Sequence, residues 1–157
     1  AIGKKMKHPG TFNANPLSAA AGVAALDVVA TGEPSWVANE QATALRRGLN
    51  GLFESRGVPW AAYGDFSAIK IIPGYDGPAI DGDDWVPHGG DYRQLDVKCD
   101  ESLGHAFRCA LLLGGVDWMG WAGSTSSAHT SEDVAATIAA FSQALDLLAA
   151  DGLITPA

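Results

Sequence analysis

The stretch WAAYGDFSAIKIIPG, residues 60–74, is where the sequence changes from helical to strand periodicity. Before it, residues 34–57 place apolar side chains at helical spacing, which predicts one long helix. Within the stretch, the short runs Trp60–Tyr63 and Phe66–Ile72 are separated by Gly64-Asp65, and this pattern predicts two strands joined by a turn. We therefore expect a long helix followed directly by a small sheet.

The sequence after this stretch continues with loops, helices and short strands. Residues 73–91 are dense in glycine, proline and aspartate and show no hydrophobic periodicity, which predicts a long loop that leaves the sheet. Ser102–Leu113 has apolar residues on one side and is followed by Gly114-Gly115, so it predicts a helix with a glycine stop. Two further strands are predicted at Val116–Met119 and Ser124–Ala128.

Both ends of the chain predict helices, but of different kinds. Near the C-terminal end, Thr130 and Asp133 have capping-box spacing, and the helix after them carries one apolar stripe. The stripe consists of Val134, Ile138, Phe141, Leu145 and Leu148. Near the other end, Asn15-Pro16 predicts the start of a helix, Leu17–Val29, with small residues on every face. The whole order predicts an α+β domain, an antiparallel sheet with helices on one face, to which the first helix does not belong.

Composition and charge limit the classes of partner. The 157 residues include 18 acidic and 10 basic ones, with a formal net charge of -8, and only Lys4, Lys5 and Lys7 form a basic run. Neither nucleic acid nor an anionic membrane is therefore an expected partner. We find no apolar run near the roughly 20 residues of a membrane span and no signal pattern, which predicts a cytoplasmic protein. Cys99 and Cys109 lack metal-site spacing and are expected to be reduced thiols.

The most informative local feature is HPGTFNANP, residues 8–16, in which a glycine and a threonine come shortly before a capped helix. Backbone N–H groups in such a turn, the positive end of the helix and the Thr11 hydroxyl can together bind a phosphate group. Simple capping of the helix explains the same residues. Local chemistry therefore leaves both interpretations open.

Together with a second motif, this stretch resembles the class III pyridoxal-phosphate-dependent aminotransferases. The first motif is H-x-G-T-F-x-x-N-P before a helix of small residues, and the second is AGSTSSAHTSED, residues 122–133, which resembles the glutamate-1-semialdehyde aminomutase branch. The resemblance implies that pyridoxal 5'-phosphate (PLP) is the cofactor. It also implies a homodimer, in which Thr11 reaches the phosphate of the neighbouring subunit's cofactor and Gly10 permits a close backbone approach.

The resemblance further implies how the chain divides. Residues 1–33 correspond to the end of the large PLP-binding domain, residues 34–57 to a linking helix, and residues 58–157 to the small C-terminal α+β domain of a fold-type-I enzyme. The lysine that forms the Schiff base is expected upstream of this chain, so the chain has no predicted catalytic residue and is expected to be inactive alone. Residues 73–95 match no family pattern and are interpreted as a subgroup insertion.

The implied reaction moves an amino group between an amine or amino acid and a keto acid or aldehyde. Trp121 stands where the aminomutase pattern has an acidic residue, so a pocket there would be aromatic, and aminomutase activity itself does not follow. Trp118 and Trp121 are otherwise expected in the core or at a dimer interface. Racemases and decarboxylases share this fold. The alternative from another class is a non-catalytic structural or dimerisation domain derived from it.

The remaining polar candidates have simpler explanations. Asp81, Asp83 and Asp84 with His88 fit a solvated acidic loop better than a cation site, so no metal is expected. His129 comes just before the expected N-cap and is predicted to form structural hydrogen bonds and not to act as a base.

Overall fold

The structure is a computed structural model that describes residues 10, 11, 13, 15–95 and 100–155. The elements in chain order are α1 (Pro16–Val29), α2 (Glu33–Ser55), β1 (Trp60–Tyr63), β2 (Ala68–Pro73), a 3-10 turn (Pro87–Gly90), α3 (Tyr92–Leu95), α4 (Glu101–Leu113), β3 (Ala122–Ser124) and α5 (Ser131–Ala150). They divide into two compact units, one that ends at Pro34 and one that begins at Ser35.

The sheet of the second unit has three antiparallel strands in the order β1-β2-β3. Tyr63 pairs with Lys70 across the first strand pair, and Ile69 pairs with Gly123 across the second. This antiparallel sheet with its helices confirms the predicted α+β class. Strand β1 has the predicted bounds, whereas β2 begins at Ala68, two residues later than predicted.

The sequence-based prediction of the third and fourth strands was wrong. Neither Val116–Met119 nor Ser124–Ala128 forms a strand, and β3 is instead Ala122–Ser124. The reason is a tertiary contact: a Cβ on Gly123 would lie 2.8 to 3.0 Å from three atoms of the Trp118 ring. The segment before β3 therefore brings an indole into the core, and the strand runs through a glycine, a residue that strands disfavour.

The core of the second unit is centred on Phe141 of α5, which is fully buried. Its ring contacts Phe53 of α2, Phe107 of α4 and Trp118, with ring centroids 6.4, 5.3 and 5.1 Å away. The predicted apolar stripe of α5 is confirmed, since four of its five side chains are buried and Ile138 is half-buried against the same core. Three helices and the segment before β3 thus meet around one side chain.

The free edge of β1 is covered by a side chain of α2. The Asn50 amide donates to the Ala62 carbonyl at 2.8 Å, and the Asn50 carbonyl oxygen accepts from the Ala62 N–H at 2.7 Å. One side chain therefore replaces the two hydrogen bonds that a neighbouring strand would make. This arrangement satisfies backbone groups of the buried Ala62 and leaves them unable to pair with another strand.

The turn between β1 and β2 is fixed by Arg46, a buried residue of α2. Its guanidinium donates to the carbonyls of Phe66 and Ala68, at 3.1 and 2.9 Å, and to the Thr43 hydroxyl at 3.0 Å. Burial lowers the pKa of the Arg46 guanidinium from its usual value, although arginine remains charged at neutral pH. Phe66 has a φ of 49°, a left-handed conformation that few non-glycine residues adopt. It therefore belongs to the turn and not to β2.

Helix α5 begins with the predicted capping box. The Thr130 hydroxyl accepts from the Asp133 N–H at 3.3 Å, and the Asp133 carboxylate accepts from the Thr130 N–H at 2.8 Å. Hydrogen bonds from the Thr130 backbone and hydroxyl hold the pKa of Asp133 below its usual value. Since the folded pKa is the lower one, this stabilisation is complete above the unfolded-state pKa and is lost as the pH falls through the folded one.

Removal of the Thr130 hydroxyl should weaken the start of α5. We expect Thr130→Ala to lower the free energy of unfolding by about 0.5 to 2 kcal/mol, because the Asp133 N–H loses its acceptor. Urea denaturation at neutral pH, compared with Ser131→Ala on the next residue, is the measurement. An equal effect of the two substitutions would contradict the role of the cap.

The loop after β2 makes side-chain contacts that the sequence did not predict. The Tyr75 ring packs against Trp85 and His88, with ring centroids 5.3 and 5.2 Å away. The Lys70 ammonium group donates to the Leu95 carbonyl at 3.0 Å, which links the end of α3, just after the loop, to the central strand. Short aromatic contacts of this kind have no periodicity, so the sequence indicated only a loop.

Helix α5 is long and apolar enough, by length and composition alone, to cross a membrane. No other helix within 15–95 and 100–155 meets that criterion. Its buried side chains, however, belong to the core described above, and a core helix passes the same test. We interpret α5 as a core helix.

Candidate functional site

The turn that carries Gly10 and Thr11 belongs to the first unit and comes just before α1. The Asn13 N–H donates to the Gly10 carbonyl at 3.2 Å, which closes the turn. A Cβ at position 10 would lie 2.6 Å from the Asn13 Oδ1 atom, so a larger residue there would displace the Asn13 side chain. Thr11 is exposed, and within the described part of the chain its hydroxyl makes no hydrogen bond. The hydroxyl is therefore available to a ligand.

The N–H groups at the start of α1 already have an acceptor. The Asn15 side chain accepts from the N–H groups of Leu17 and Ser18, at 2.9 and 3.2 Å, which confirms Asn15 as the N-cap. The sequence had suggested that the helix end itself would contribute donors to a phosphate. The structure reduces the donors to those of the Thr11 hydroxyl and the turn.

The charges around the turn suit an anion. No acidic residue lies in the first turn of α1, so a phosphate would meet the positive end of the helix without a carboxylate beside it. The features that remain for a phosphate are the Thr11 hydroxyl, the glycine beside it and the dipole of α1, since Asn15 occupies the N–H groups of Leu17 and Ser18. Lys4, Lys5 and Lys7, which precede the turn, lie outside the described residues.

His129 has the structural role that the sequence predicts. Its Nδ1 atom accepts from the Ser126 backbone N–H at 3.0 Å and lies 3.0 Å from the Ser126 hydroxyl. Because Nδ1 is the acceptor, the neutral imidazole carries its proton on Nε2. The residue therefore fixes the bend before α5 and presents one N–H donor.

Trp118 and Trp121 both pack in the core, as expected. The Trp121 ring is stacked on Phe107, with centroids 4.9 Å apart and an interplanar angle of 7°, and its edge meets Trp60 at 5.4 Å. Trp118 is buried, while Trp121 is half-buried. The expectation that a pocket at this position is aromatic stays a prediction, because Trp121 lines none of the cavities described for residues 10–155.

The acidic loop contains an ion pair that the sequence did not indicate. Both oxygens of Asp83 accept from the Arg47 guanidinium of α2, which lowers the pKa of Asp83 through these hydrogen bonds. Among the described residues, no group of three or more histidine, cysteine or acidic side chains could hold a metal ion. Cys109 is a free, exposed thiol, whereas Cys99 lies outside the described residues.

Comparison with known proteins gives one sequence relative and several structural ones. No protein-family model matches the chain. The chain is 33% identical over 136 residues to glutamate-1-semialdehyde 2,1-aminomutase of Hyperthermus butylicus, a match that covers 85% of this chain and 29% of the relative.

Two solved structures share the fold. An omega-transaminase from Sphaerobacter thermophilus superimposes with a TM-score of 0.72 at 26% identity, over 90% of this chain and 30% of its own. The FumI protein of Sphingopyxis sp. MTA144, solved in its PLP internal aldimine form, gives a TM-score of 0.70 at 21% identity, over 97% of this chain and 32% of its own. The second likeness shows the fold alone. The chain spans about three tenths of the length of each of these relatives.

Proposed function

Since this chain is related to the C-terminal part of the pyridoxal-phosphate-dependent aminotransferases, we propose that it forms part of an enzyme that transfers an amino group between an amine and a carbonyl compound. The observation that carries the proposal is the sequence match to an aminomutase over 85% of the chain. A fold match to an omega-transaminase, with a TM-score of 0.72 at 26% identity, supports it. The reaction is an aminotransferase or aminomutase reaction, and its cofactor is PLP.

We propose that the domain division of these enzymes applies to this chain. Residues 1–33 would end the large PLP-binding domain, residues 34–57 would form the linking helix, and residues 58–157 would form the small domain. The exposure of α1 supports this division. Leu17 and Leu26 are 79% and 67% exposed, and no side chain of α1 is buried. A helix without a polar face is normally enclosed on all sides, so α1 fits a position inside a larger domain.

The proposed contribution of this chain to the cofactor site is to hold its phosphate. Thr11 would donate its hydroxyl to a phosphate oxygen across a homodimer interface, and Gly10 would let the backbone approach. When bound, PLP supplies an electron sink for negative charge at the carbon that carries the amino group. Neither Gly10 nor Thr11 exchanges a proton with the substrate. The lysine that does so is proposed to lie outside this chain, upstream of Gly10.

We propose an amine or amino acid and a keto acid or aldehyde as the substrates. The aromatic surface of Trp121, held by Phe107 and Trp60, supports an apolar contact at a position where the aminomutase pattern has an acid. It therefore supplies no carboxylate to pair with a substrate cation at that point. We propose that the enzyme is cytoplasmic. We also propose that it does not bind nucleic acid, because a net charge of -8 disfavours contact with a polyanion.

The isolated chain tests the proposal that the catalytic lysine lies outside it. Purified alone, the 157 residues should show no turnover with any amine and keto acid pair, because covalent catalysis needs the proposed upstream lysine. The whole enzyme should turn over and should retain a lysine-bound PLP absorbance band after dialysis. Turnover by the isolated chain would overturn the assignment of the lysine. A whole protein that retains no PLP would favour the alternative, a non-catalytic structural or dimerisation domain.

The role of Thr11 can be measured as cofactor affinity. A hydrogen bond to a charged group contributes about 1.5 to 3 kcal/mol, so Thr11→Val in the whole dimer should weaken PLP binding by roughly tenfold to a hundredfold. Thr11→Ser keeps the hydroxyl and should bind PLP nearly as the unmodified protein does. Thermal unfolding of the apo-protein should be the same for all three. Equal PLP affinity of the valine and serine variants would show that Thr11 only completes a turn.

A further inference from the structure

The outer edge of β3 is open, whereas Asn50 covers the outer edge of β1. Ala122 and Ser124 of β3 are both exposed. Within the described part of the chain, their N–H and C=O groups have no hydrogen-bond partner. An edge strand with unpaired backbone groups can pair with another extended chain. The edge of β3 is therefore a place where a further strand can add to the sheet.

The pairing of β3 with β2 shows which way these groups point. At one end of β3, the Thr125 N–H donates to the Ser67 carbonyl at 3.0 Å. At the other end, the Ile71 N–H donates to the Trp121 carbonyl at 2.8 Å. Hydrogen-bonded and non-hydrogen-bonded pairs alternate along an antiparallel ladder, so Gly123, midway between, also directs its backbone groups toward β2. The residues on either side of Gly123 therefore direct theirs away from β2, toward the free edge.

A cavity of about 490 Å³ lies along the same strand. All three residues of β3 line it, together with parts of α2, β2, the segment 116–119 and the first two turns of α5. Leu45, Ile69 and Val134 form a buried apolar part of its wall. Paired residues of neighbouring strands direct their side chains to the same face, so a residue opposite Gly123 on an added strand would share the face of Gly123 and Ile69. The cavity thus offers space for one apolar side chain of that strand, and such pockets give specificity when a peptide adds to a sheet edge.

The charges beside the cavity favour a cationic segment. Asp117 and Asp133 both line it, and none of its lining residues is lysine or arginine. The Oδ1 atom of Asp117 accepts from Arg108, and the Oδ2 atom of Asp133 accepts from Thr130. The other oxygen of each carboxylate has no hydrogen-bond partner among the described residues. A lysine or arginine would therefore meet an opposite charge there, whereas an acidic segment would be repelled.

We propose that β3 binds an extended, cationic peptide segment as a fourth, antiparallel strand of the sheet. The residues opposite Ala122 and Ser124 exchange backbone hydrogen bonds with them, and an apolar residue opposite Gly123 places its side chain in the cavity. A flanking lysine or arginine lies near one of the two lining carboxylates. The site goes beyond the proposed amino transfer, includes no residue of the first unit and needs no cofactor. Loss or confirmation of PLP binding therefore leaves it unaffected.

Titration of the purified 157-residue chain with the peptide acetyl-KTVTK-amide tests the proposal. With its valine opposite Gly123, the N–H groups of its two threonines face β3 and the valine N–H faces away. In a ¹⁵N-correlated NMR spectrum, the backbone N–H signals of Ala122 and Ser124 should move downfield and saturate. A titration without a saturable shift of these two signals would contradict the proposal.

Modified peptides test the direction of the hydrogen bonds and the preferred charge. N-methylation of either threonine should weaken binding by about tenfold, because the methyl group removes a hydrogen bond and collides with the edge of β3. N-methylation of the valine should leave the affinity nearly unchanged. Acetyl-ETVTE-amide should bind about tenfold more weakly than the basic peptide. Equal affinities of the two kinds of N-methylated peptide, or of the acidic and basic peptides, would show that the proposed site is wrong.

Substitutions in the protein locate the peptide. Ser124→Pro removes an edge N–H but no hydrogen bond to β2, and it should weaken binding of the basic peptide by about tenfold. Thr137→Phe places a ring in the cavity without changing β3 and should also weaken binding, whereas Ala136→Phe, at an exposed position that does not line the cavity, should not. If Thr137→Phe and Ala136→Phe bind the peptide equally well, its apolar side chain does not enter the cavity and the proposal fails.

Sedimentation distinguishes a peptide from a second copy of the chain as the partner of β3. We expect the same oligomeric state for Ser124→Pro and the unmodified chain. An oligomer that Ser124→Pro dissociates would mean that β3 pairs with another copy of itself, and the proposal of a peptide partner would be wrong.

Discussion

Phe141→Ala should lower the free energy of unfolding of this domain by about 3 to 5 kcal/mol. Phe141 is fully buried, and its ring touches aromatic rings from α2, from α4 and from the segment before β3. Truncation would remove the contacts of a whole ring and leave a cavity that three different elements would have to fill. Since the sheet packs against the same cluster, we do not expect the cavity to collapse completely.

Chemical denaturation followed by circular dichroism gives the measurement, and two variants make it specific. Phe141→Leu keeps most of the volume and should cost much less than the alanine variant. Gln143→Ala is exposed on the same helix and should have almost no effect. A loss below about 1 kcal/mol for Phe141→Ala would show that α5 does not pack in the core as described.

Asn50→Leu is the second substitution with a large expected effect. It removes both hydrogen bonds to Ala62, so a backbone N–H and a carbonyl of a buried residue lose their partners. An unsatisfied buried polar group costs about 1 to 3 kcal/mol, which gives an expected loss of about 2 to 6 kcal/mol for the pair. Leucine has a higher helix propensity than asparagine, so the helix itself would not be weakened.

The control for this prediction distinguishes the loss of the hydrogen bonds at the edge of β1 from a general effect of leucine on α2. Glu54→Leu, an exposed substitution one turn later in α2, should be nearly neutral. Asn50→Asp keeps the acceptor for the Ala62 N–H but loses the donor to the Ala62 carbonyl, so it should also be destabilising. If Asn50→Leu and Glu54→Leu have equal free energies of unfolding, water hydrogen-bonds the N–H and carbonyl of Ala62 as well as asparagine does.

Helix α5 could be predicted almost completely from the sequence because its signals are local. Thr130 and Asp133 are three residues apart, and the apolar stripe repeats at helical spacing. Strand β3 could not be predicted, because it depends on the Trp118 ring lying over Gly123. Contacts between a ring and a glycine five positions later leave no period in the sequence. Strand propensity instead favoured Val116–Met119, which the structure uses to place the indole.

The candidate site, too, could be predicted from the sequence only where its signals are local. The turn of Gly10 and Thr11 was identified from a short motif, and Asn15 was correctly predicted as the N-cap of α1. The sequence left open whether the first N–H groups of α1 would bind a phosphate or the Asn15 side chain, and the structure shows the latter. The same asparagine suits both a capped helix and an open phosphate site, so only the geometry distinguishes them. The contacts of Asn50 with Ala62 and of Arg47 with Asp83 join residues 12 and 36 positions apart, and each polar residue would fit an exposed helix surface equally well.

The hydrogen bonds of Arg46 attach the β1–β2 turn to α2 in a way that does not depend on pH. Its acceptors are two backbone carbonyls and a hydroxyl, none of which gains or loses a proton between acid and neutral conditions. The guanidinium itself keeps its proton throughout the same range. The capping box of α5 depends on a carboxylate and loosens in acid, whereas the connection between α2 and the β1–β2 turn should persist. Acid should therefore weaken the carboxylate half of the α5 cap, while the hydrogen bond from the Asp133 N–H to the Thr130 hydroxyl and the attachment of the hairpin to α2 remain.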